Sequence, residues 1–304
     1  MKINLFYKGI FYTCIASLFW GMPQPLIFNE IKYIPHIEVA IHRGLWSFVF
    51  LFIFLSFFSK LNDFYSIFFS LKKILVLTIT AMLISINWTG FIYAVSIEKV
   101  HEASMGYYIT PIISIFLGYV FLNEKISKLK FLSLIMMITS ITFLIFTNKT
   151  IPIIAIIIGF TWGVYGLLRK QIDIKPEIGL FYESGLITLI AGPYLIYLYY
   201  YDLGYFLNYS YSASILLILA GIVTIFPLFF FNLGIKYIPL GLAGVLFYLA
   251  PTFHFITSIF ILNENLNQNK LLSFIIIWLA IIIYIFDVVM KEKIISENNT
   301  QLLN

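Results

Sequence analysis

Apolar residues occupy the chain in long runs, and short polar breaks separate one run from the next. Each run approaches the length of about 20 residues that an α-helix needs to cross a bilayer. The strands of a membrane barrel would give shorter segments of alternating polarity, so this pattern predicts ten transmembrane helices. The predicted helices lie near residues 8–28, 36–58, 73–95, 103–122, 128–147, 151–170, 177–200, 213–234, 240–262 and 268–290.

The composition agrees with a membrane environment. Of the 304 residues, 61% are hydrophobic and 11% are charged, whereas about a quarter of the residues of a soluble domain are charged. Cys14 is the one cysteine, which excludes an internal disulfide and a cysteine-based metal site. We expect the first apolar run to stay as a helix rather than act as a cleaved signal peptide. We expect the polar residues 291–304 to form a disordered tail.

Lysine and arginine fall unevenly on the two sides of the predicted membrane. If the N-terminus is cytoplasmic, 14 of the 19 basic residues lie on that side and five lie on the other. Short cytoplasmic loops carry an excess of these residues, so both termini are predicted to be cytoplasmic. The formal net charge of +5 is then explained by orientation in the membrane, and no nucleic-acid partner is expected.

Two windows of the chain are nearly the same. They read GYYITPIISIFLGYVFLNEKIS at 106–127 and LFYLAPTFHFITSIFILNENLN at 246–267. The shift is 140 residues, and it pairs Tyr108 with Tyr248 and Pro111 with Pro251. The alignment continues without a gap into the following helix, so we interpret it as an ancient duplication.

The duplication predicts the domain organisation. The first five-helix repeat is residues 1–147, and the second is residues 148–290. Because five is an odd number, the second half enters the membrane from the opposite side. This inverted repeat is typical of secondary transporters, in which the substrate site lies near the bilayer midplane between the halves.

The repeated prolines fall in the middle of predicted membrane helices. A proline there frees a backbone carbonyl and bends the helix, so the residues around it are candidates for lining a substrate path. These candidates are Tyr107, Tyr108, Pro111, Tyr248 and Pro251. The alternative, that they only stabilise the fold, stays open. The repeated Asn-Glu turns at 123–124 and 263–264 are interpreted as turns that lead to the N-cap of the next helix.

Two of the charged side chains inside predicted helices are candidates for function, because a charge at the centre of a membrane helix costs about 2.5–3.5 kcal/mol on insertion scales. Glu183 lies a turn or two inside the seventh helix, with no basic residue near it in that helix. It is a candidate for proton coupling or for binding a substrate amine; the alternative is a buried or snorkelling carboxyl. Arg43 follows His42 at the start of the second helix. It is a candidate for binding a carboxylate or for a gate with Glu102; the alternative is an interfacial arginine.

Several polar residues lie at mid-helix. Asn87 and Trp88 in the third helix are interpreted as pocket residues, and Asn232 in the eighth as a residue that bonds across helices. His254 lies one turn beyond Pro251, and it is a candidate for binding substrate, with a structural role as the alternative.

The first helix contains a Gly-x-Pro-x-Pro segment that begins at Gly21 and is predicted to break it. Backbone groups freed there could meet a substrate, as in other discontinuous transporter helices. Trp20 and Trp162 then flank the midplane from the two halves. The sixth helix carries a face of small residues suited to close packing, formed by Gly159, Gly163 and Gly166.

Several stretches together resemble the RarD proteins, a branch of the EamA group in the drug/metabolite transporter superfamily. They are LFWGMPQPL (18–26), AIHRGLWSFVFLF (40–52), LISINWTGFIYAVS (83–96), HEASMGYYITPIISIFLGYVFLNEKIS (101–127), YGLLRK (165–170) and LFYLAPTFHF (246–255). The resemblance runs from the first helix to the last. It implies ten helices in two five-helix halves, a bacterial inner membrane, and transport of small molecules without ATP.

The function predicted from these features is secondary transport of a small organic solute, such as an amino acid, a metabolite or a drug-like compound, by alternating access. The expected partners are the solute, the bilayer and protons as a coupling ion, with no cofactor or metal, in a monomer or a homodimer. An uncoupled facilitator or channel and a non-transporting membrane protein are the alternatives. A membrane enzyme is disfavoured because the four histidines are scattered.

Overall fold

The computed structural model describes residues 2–96, 100–148, 153–261 and 268–301, and over these ranges the regular structure is helical throughout. The helices are α1 (Lys2–Gly21), α2 (Pro23–Glu30), α3 (His36–Phe57), α4 (Leu61–Tyr65), α5 (Leu71–Ser96), α6 (Val100–Leu122), α7 (Lys128–Asn148), α8 (Ile153–Gln171), α9 (Pro176–Tyr200), α10 (Tyr211–Gly234), α11 (Leu240–Phe247), α12 (Leu249–Phe260) and α13 (Gln268–Gln301).

Ten spans within the described residues are long and apolar enough to cross a membrane, which confirms the predicted number. Eight spans are single helices. The first is divided into α1 and α2, and the ninth is divided into α11 and α12. The short helix α4 lies between the second and third spans.

Proline explains where the two divided spans are broken. α1 ends at Gly21 and α2 begins at Pro23, so the predicted break in the first span is confirmed. α11 ends at Phe247, the residue whose carbonyl would accept from position 251 if Pro251 had an N–H to donate. α6 contains Pro111 and is nevertheless a single helix.

The last helix is longer than the sequence pattern indicated. α13 continues to Gln301, through most of the segment that was predicted to be a disordered tail. The physical reason is that residues 268–301 contain no proline or glycine to end the helix. A lysine to aspartate pair one turn apart, Lys291 Nζ to Asp287 Oδ2 at 2.9 Å, also joins the apolar part to the polar part.

The first five spans and the last five are interleaved. The most extensive helix contacts are those of α6 with α8, α7 with α13, α1 with α10, and α3 with α9, and each joins one half to the other. Glycines allow α6 and α8 to approach closely, because a Cβ on Gly159 or Gly163 would fall within 3.0 Å of side chains on α6. The packing role predicted for these two glycines is confirmed.

Candidate functional site

Aromatic side chains from several helices meet where the halves join. The ring centroids of Trp20 and Trp162 are 5.1 Å apart at an angle of 86°. Phe247 contacts both, at 5.4 Å from Trp20 and 5.5 Å from Trp162. Trp162 also stacks on Tyr165, at 5.3 Å. The two tryptophans that were expected to approach from opposite halves are therefore in direct contact.

Glu183 lies beside this cluster in a buried polar network. Its Oε1 accepts a 2.6 Å hydrogen bond from the Thr80 hydroxyl, and its Oε2 accepts one of 3.2 Å from the Tyr165 hydroxyl. Arg169 Nε lies 3.6 Å from Glu183 Oε1 and donates to Asn232 Oδ1 at 3.2 Å. Asn232 in turn donates to the Tyr165 hydroxyl at 2.8 Å, so the interpretation of Asn232 as a residue that bonds across helices is confirmed.

Arg169 is the partner that sequence reasoning missed. It was counted with the cytoplasmic basic residues, but only 2% of it is exposed. Gly179 makes room for it, since a Cβ at that position would lie 2.6 Å from Arg169 Cζ. A signal was available, because Arg169 lies near the end of one predicted helix and Glu183 lies within two turns of the start of the next. Glu183 is thus a paired carboxylate that does not reach solvent.

A narrow pocket with a cavity volume of about 10 Å³ lies between α3, α5, α9 and α10. Glu183, Ser47, Ser184 and Trp88 are its polar or amphipathic lining. The rest of the wall is apolar and consists of Ile84, Leu180, Ile187, Ile225 and Leu228. A cavity of this size holds about one water molecule, so the pocket must widen to admit an organic solute.

Arg43 lies next to this pocket and is buried. Its Nε donates a 2.9 Å hydrogen bond to Thr224 Oγ1. Its guanidinium carbon lies 4.5 Å from the centroid of the Trp88 ring and 4.9 Å from that of Phe28. Tyr107 is close enough to Arg43 to interact with its charge. The side chain of Glu102, the gate partner considered above, lies outside the described part of the chain.

The repeated tyrosines meet at the crossing of α6 and α11. Tyr248 donates a 2.7 Å hydrogen bond to the carbonyl of Tyr108. Pro111 lies in the same crossing, since a Cβ on Gly244 would come within 3.2 Å of its Cα. Pro251 is buried three residues after Tyr248.

Three candidates have contacts elsewhere. The carbonyl of Gly21 accepts a hydrogen bond from Thr257, so that backbone group is occupied by packing against α12. Asn87 donates to the Ile158 carbonyl at 2.8 Å, and it fastens α5 to α8 without lining the pocket described above. His254 is half-buried on α12.

Glu38 fastens α3 to the segment between α9 and α10. Its Oε1 accepts hydrogen bonds from the backbone N–H groups of Tyr205, at 2.7 Å, and Phe206, at 3.2 Å. His42 Nε2 lies 4.0 Å from the same oxygen. The role of Glu38 was not predicted, because its partners are backbone groups that have no side-chain signature.

Polar contacts also join the ends of several helices on one side of the protein. Lys60 pairs with Glu177 at 2.9 Å, and Lys175 pairs with Asp63 at 2.6 Å. Lys236 donates to the Ile172 carbonyl.

The two residues of the turn at 123–124 have different roles. Asn123 adopts a φ of 54°, and Glu124 N–H donates to the Gly118 carbonyl, a turn that typically ends a helix. Ser127 then caps α7 by accepting from Lys130 N–H, as predicted. The carboxylate of Glu124 instead accepts from the N–H groups of Leu240 and Gly241, so it caps α11. The second turn, at 263–264, lies outside the described residues.

Within the described ranges, no group of three or more histidine, cysteine, aspartate and glutamate side chains could hold a metal ion. The arrangement is a buried ion pair, an aromatic cluster and an isolated arginine around a pocket between the first five spans and the last five. Buried charges of this kind in a multi-pass membrane protein are typical of transporters.

The comparisons with known proteins agree with this class. The EamA-like transporter family matches residues 7–146 and, a second time, residues 149–286. The chain is 35% identical to an uncharacterized transporter of Bacillus subtilis, YojE, over 94% of this chain and 96% of that protein. It is 31% identical to the protein RarD of Escherichia coli, over 94% of this chain and 96% of that protein.

A solved crystal structure of a protein matches with a TM-score of 0.69 at 15% identity, and the match covers 90% of this chain and 96% of that one. This likeness shows a shared fold alone. The chain belongs to the EamA-like transporter family and is RarD-like within it. It is a membrane transporter that crosses the bilayer several times.

Proposed function

We propose that the chain is a secondary transporter that moves a small organic solute across the bacterial inner membrane by alternating access, with both termini in the cytoplasm. The observation that carries the proposal is the buried carboxylate of Glu183, in the second half, which accepts a hydrogen bond from Thr80, in the first half. Glu183 lies about 10 Å along α9 from Pro176, on the wall of the pocket. A charge held across this boundary changes its partners when one half moves against the other.

The pattern of helix contacts supports two inverted halves. When the halves are exchanged according to the repeat, α1 corresponds to α8 and α5 corresponds to α10. α1 packs on α10, and α8 packs on α5. Likewise α6 packs on α8, while α11 and α12 pack on α1. A pseudo-two-fold axis in the membrane plane gives this reciprocity, and such an axis is typical of alternating-access carriers.

Proton coupling is assigned to Glu183. A proton on this carboxyl removes its attraction for Arg169 and weakens the contacts that join α9 to α5 and α8. Since the carboxyl also lines the pocket, protonation and solute binding act on the same helices. In the coupled step Glu183 therefore exchanges its pairing partners, and both protonation and solute binding promote this exchange.

One observation favours an uncoupled facilitator as a second candidate. Arg169 already balances the charge of Glu183 in this conformation, and a buried ion pair can persist as a structural unit. In that case the pair stays closed through the whole cycle, and the solute alone drives the exchange of states.

Flux in proteoliposomes tests both candidates. Purified protein is reconstituted with a mixed panel of amino acids and drug-like compounds, a pH gradient is imposed, and each solute is followed by mass spectrometry. Saturable flux that the gradient drives and that Glu183→Gln abolishes supports the coupled carrier. Saturable flux that is changed neither by the pH gradient nor by Glu183→Gln supports the facilitator. The matched control is Glu30→Gln, an exposed carboxylate at the end of α2. Flux without saturation or counterflow contradicts alternating access and indicates a channel.

A further inference from the structure

Arg43 is a buried cation with free donors. Only 8% of it is exposed, and its hydrogen bond to the described residues uses Nε. Over the described residues, no carboxylate lies within ion-pair distance of it, in contrast to Arg169. A charge inside a membrane protein is costly unless it is paired. A bound anion beside Arg43 would therefore be stabilised by this charge.

The two terminal nitrogens of Arg43 have no hydrogen bond to the described residues, because the bond to Thr224 uses Nε. Their N–H groups are therefore left to donate to an anion.

Three helices orient the guanidinium. Thr224 on α10 fixes its Nε side, and the rings of Trp88 on α5 and Phe28 on α2 lie at 4.5 Å and 4.9 Å from its central carbon. A planar fork held in this way presents two parallel N–H donors, which match the two oxygens of a carboxylate.

The lining of the adjoining pocket indicates the chemistry of the rest of the ligand. Trp88 contacts the guanidinium and also lines the pocket, and Ser47 on the pocket wall lies one turn after Arg43. Most of the remaining wall is aliphatic, which suits an apolar or aromatic body. Glu183 at the pocket is already paired with Arg169, so the site calls for one negative charge and needs no amine on the ligand.

We propose that the transported solute is an organic monocarboxylate with an apolar or aromatic body. Its carboxylate binds Nη1 and Nη2 of Arg43, and its body extends along Trp88 into the pocket. This inference rests on the proposed transport function, because it takes the pocket to be the substrate site.

Equilibrium binding of radiolabelled phenylacetate to the purified full-length protein in detergent tests the proposal. Phenylacetate is expected to bind saturably, and phenylacetamide, which has the same shape without the charge, is expected to bind at least about tenfold more weakly. Arg43→Gln lowers the affinity for phenylacetate about ten- to a hundredfold, and Arg43→Lys lowers it less. Lys32→Gln, which removes an exposed cation just before α3, leaves the affinity unchanged.

Two results overturn the proposal without any mutant, so a misfolded variant cannot obscure the answer. One is equal affinity for phenylacetate and phenylacetamide. The other is no saturable binding of phenylacetate up to about 10 mM, beyond the weak end of specific affinities. Tighter binding of phenyl phosphate than of phenylacetate also overturns it, in favour of a dianion.

The failure of this inference and the failure of the proposed function give different results. If an acid binds at Arg43 in a charge-dependent way but no bound acid is transported, the anion site is supported and the proposed transport function is contradicted. Saturable flux of uncharged solutes that Arg43→Gln leaves unchanged retains the transporter and refutes the monocarboxylate.

Discussion

The hydroxyl of Tyr248 donates a 2.7 Å hydrogen bond to the backbone carbonyl of Tyr108, the residue that stands 140 positions earlier at the same place in the repeat. The bond is not reciprocated, since the hydroxyl of Tyr108 has no partner among the described residues. The two halves differ four residues after each tyrosine. Thr252 donates its hydroxyl to the carbonyl of Tyr248 and so occupies it. The equivalent residue in the first half is Ile112, which has no hydroxyl and leaves the carbonyl of Tyr108 open to Tyr248. The two halves thus share a sequence pattern and differ in how the central crossing is bonded.

This asymmetry predicts unequal effects of one substitution at two equivalent places. Tyr248→Phe should lower stability by about 0.5–1.5 kcal/mol, because it removes a buried bond between the halves. Tyr108→Phe should be neutral or slightly stabilising, because it removes a buried hydroxyl that has no described partner. Thermal unfolding in detergent, followed by tryptophan fluorescence, measures both. Equal losses would show that the two hydroxyls are equally bonded.

The pair of Glu183 and Arg169 predicts a non-additive double-mutant cycle. Glu183→Gln and Arg169→Gln should each destabilise by about 3–5 kcal/mol, because each leaves the other charge buried and unpaired. The double variant should lose less than the sum of the two single losses. Stability in detergent against temperature or denaturant provides the measurement. The control is Lys175→Gln, which breaks an exposed pair with Asp63 and should cost at most about 1 kcal/mol. Additive losses would mean that Glu183 and Arg169 do not interact.

The ten spans and the break after Gly21 could be predicted because each depends on local chemistry. The length of an apolar run is set by the thickness of the bilayer, and proline disrupts the backbone wherever it stands in a helix. The length of α13 was underestimated for a related reason. A lack of apolar period argues against burial, but it does not end a helix that meets no glycine or proline.

The candidate site was only partly predictable, because contacts depend on how helices are rotated about their axes. The costly residues Glu183 and Arg43 could be found from polarity alone. The partnership of Glu183 with Arg169 required the relative rotation of α8 and α9. The cap that Glu124 provides for α11 joins positions 116 residues apart, and no local pattern encodes it.

The crossing of α6 and α11 predicts that a single methyl group will be costly there. A Cβ on Gly244 would lie 2.5 Å from the Ser114 Cβ, which is too close for either helix to accommodate without moving. Gly244→Ala should therefore destabilise by about 1–3 kcal/mol. Gly192→Ala is the matched control, since its Cβ would meet only Thr188 Cγ2, at 3.7 Å. It should be neutral or stabilising by up to about 1 kcal/mol. Similar thermal midpoints for the two variants would contradict the close crossing.

Glu124 predicts local protection at the start of α11. Its carboxylate accepts from the N–H groups of Leu240 and Gly241 across the halves, and a carboxylate at a helix N-terminus stabilises it by about 0.5–2 kcal/mol. Glu124→Gln should therefore speed hydrogen exchange at these two amides about two- to thirtyfold. Exchange elsewhere, for example in α7, should not change. Exchange that is unchanged at Leu240 and Gly241 would show that the cap does not hold this end closed.

Lys236 and Lys175 predict two distinct pH profiles for amine labelling. Burial, together with the nearby charge of Arg169, lowers the pKa of Lys236 to about 8. The hydrogen bond to Asp63 raises the pKa of Lys175 above its usual range. Amine reagents attack the neutral form, and a lowered pKa means that the proton leaves at lower pH. About half of Lys236 is thus reactive at pH 8, while Lys175 is less than about 1% neutral there.

Peptide mass spectrometry after brief labelling measures both profiles in one sample. Modification of Lys236 should rise with a midpoint near pH 8 and level off, whereas that of Lys175 should still be rising above about pH 10. An impermeant reagent should reach both lysines in inside-out vesicles and neither in intact cells, because both are predicted to face the cytoplasm. A midpoint for Lys236 at the ordinary lysine value would contradict its burial. Labelling of either lysine from outside intact cells would reverse the assigned orientation, and with it the direction in which α11 and its cap face.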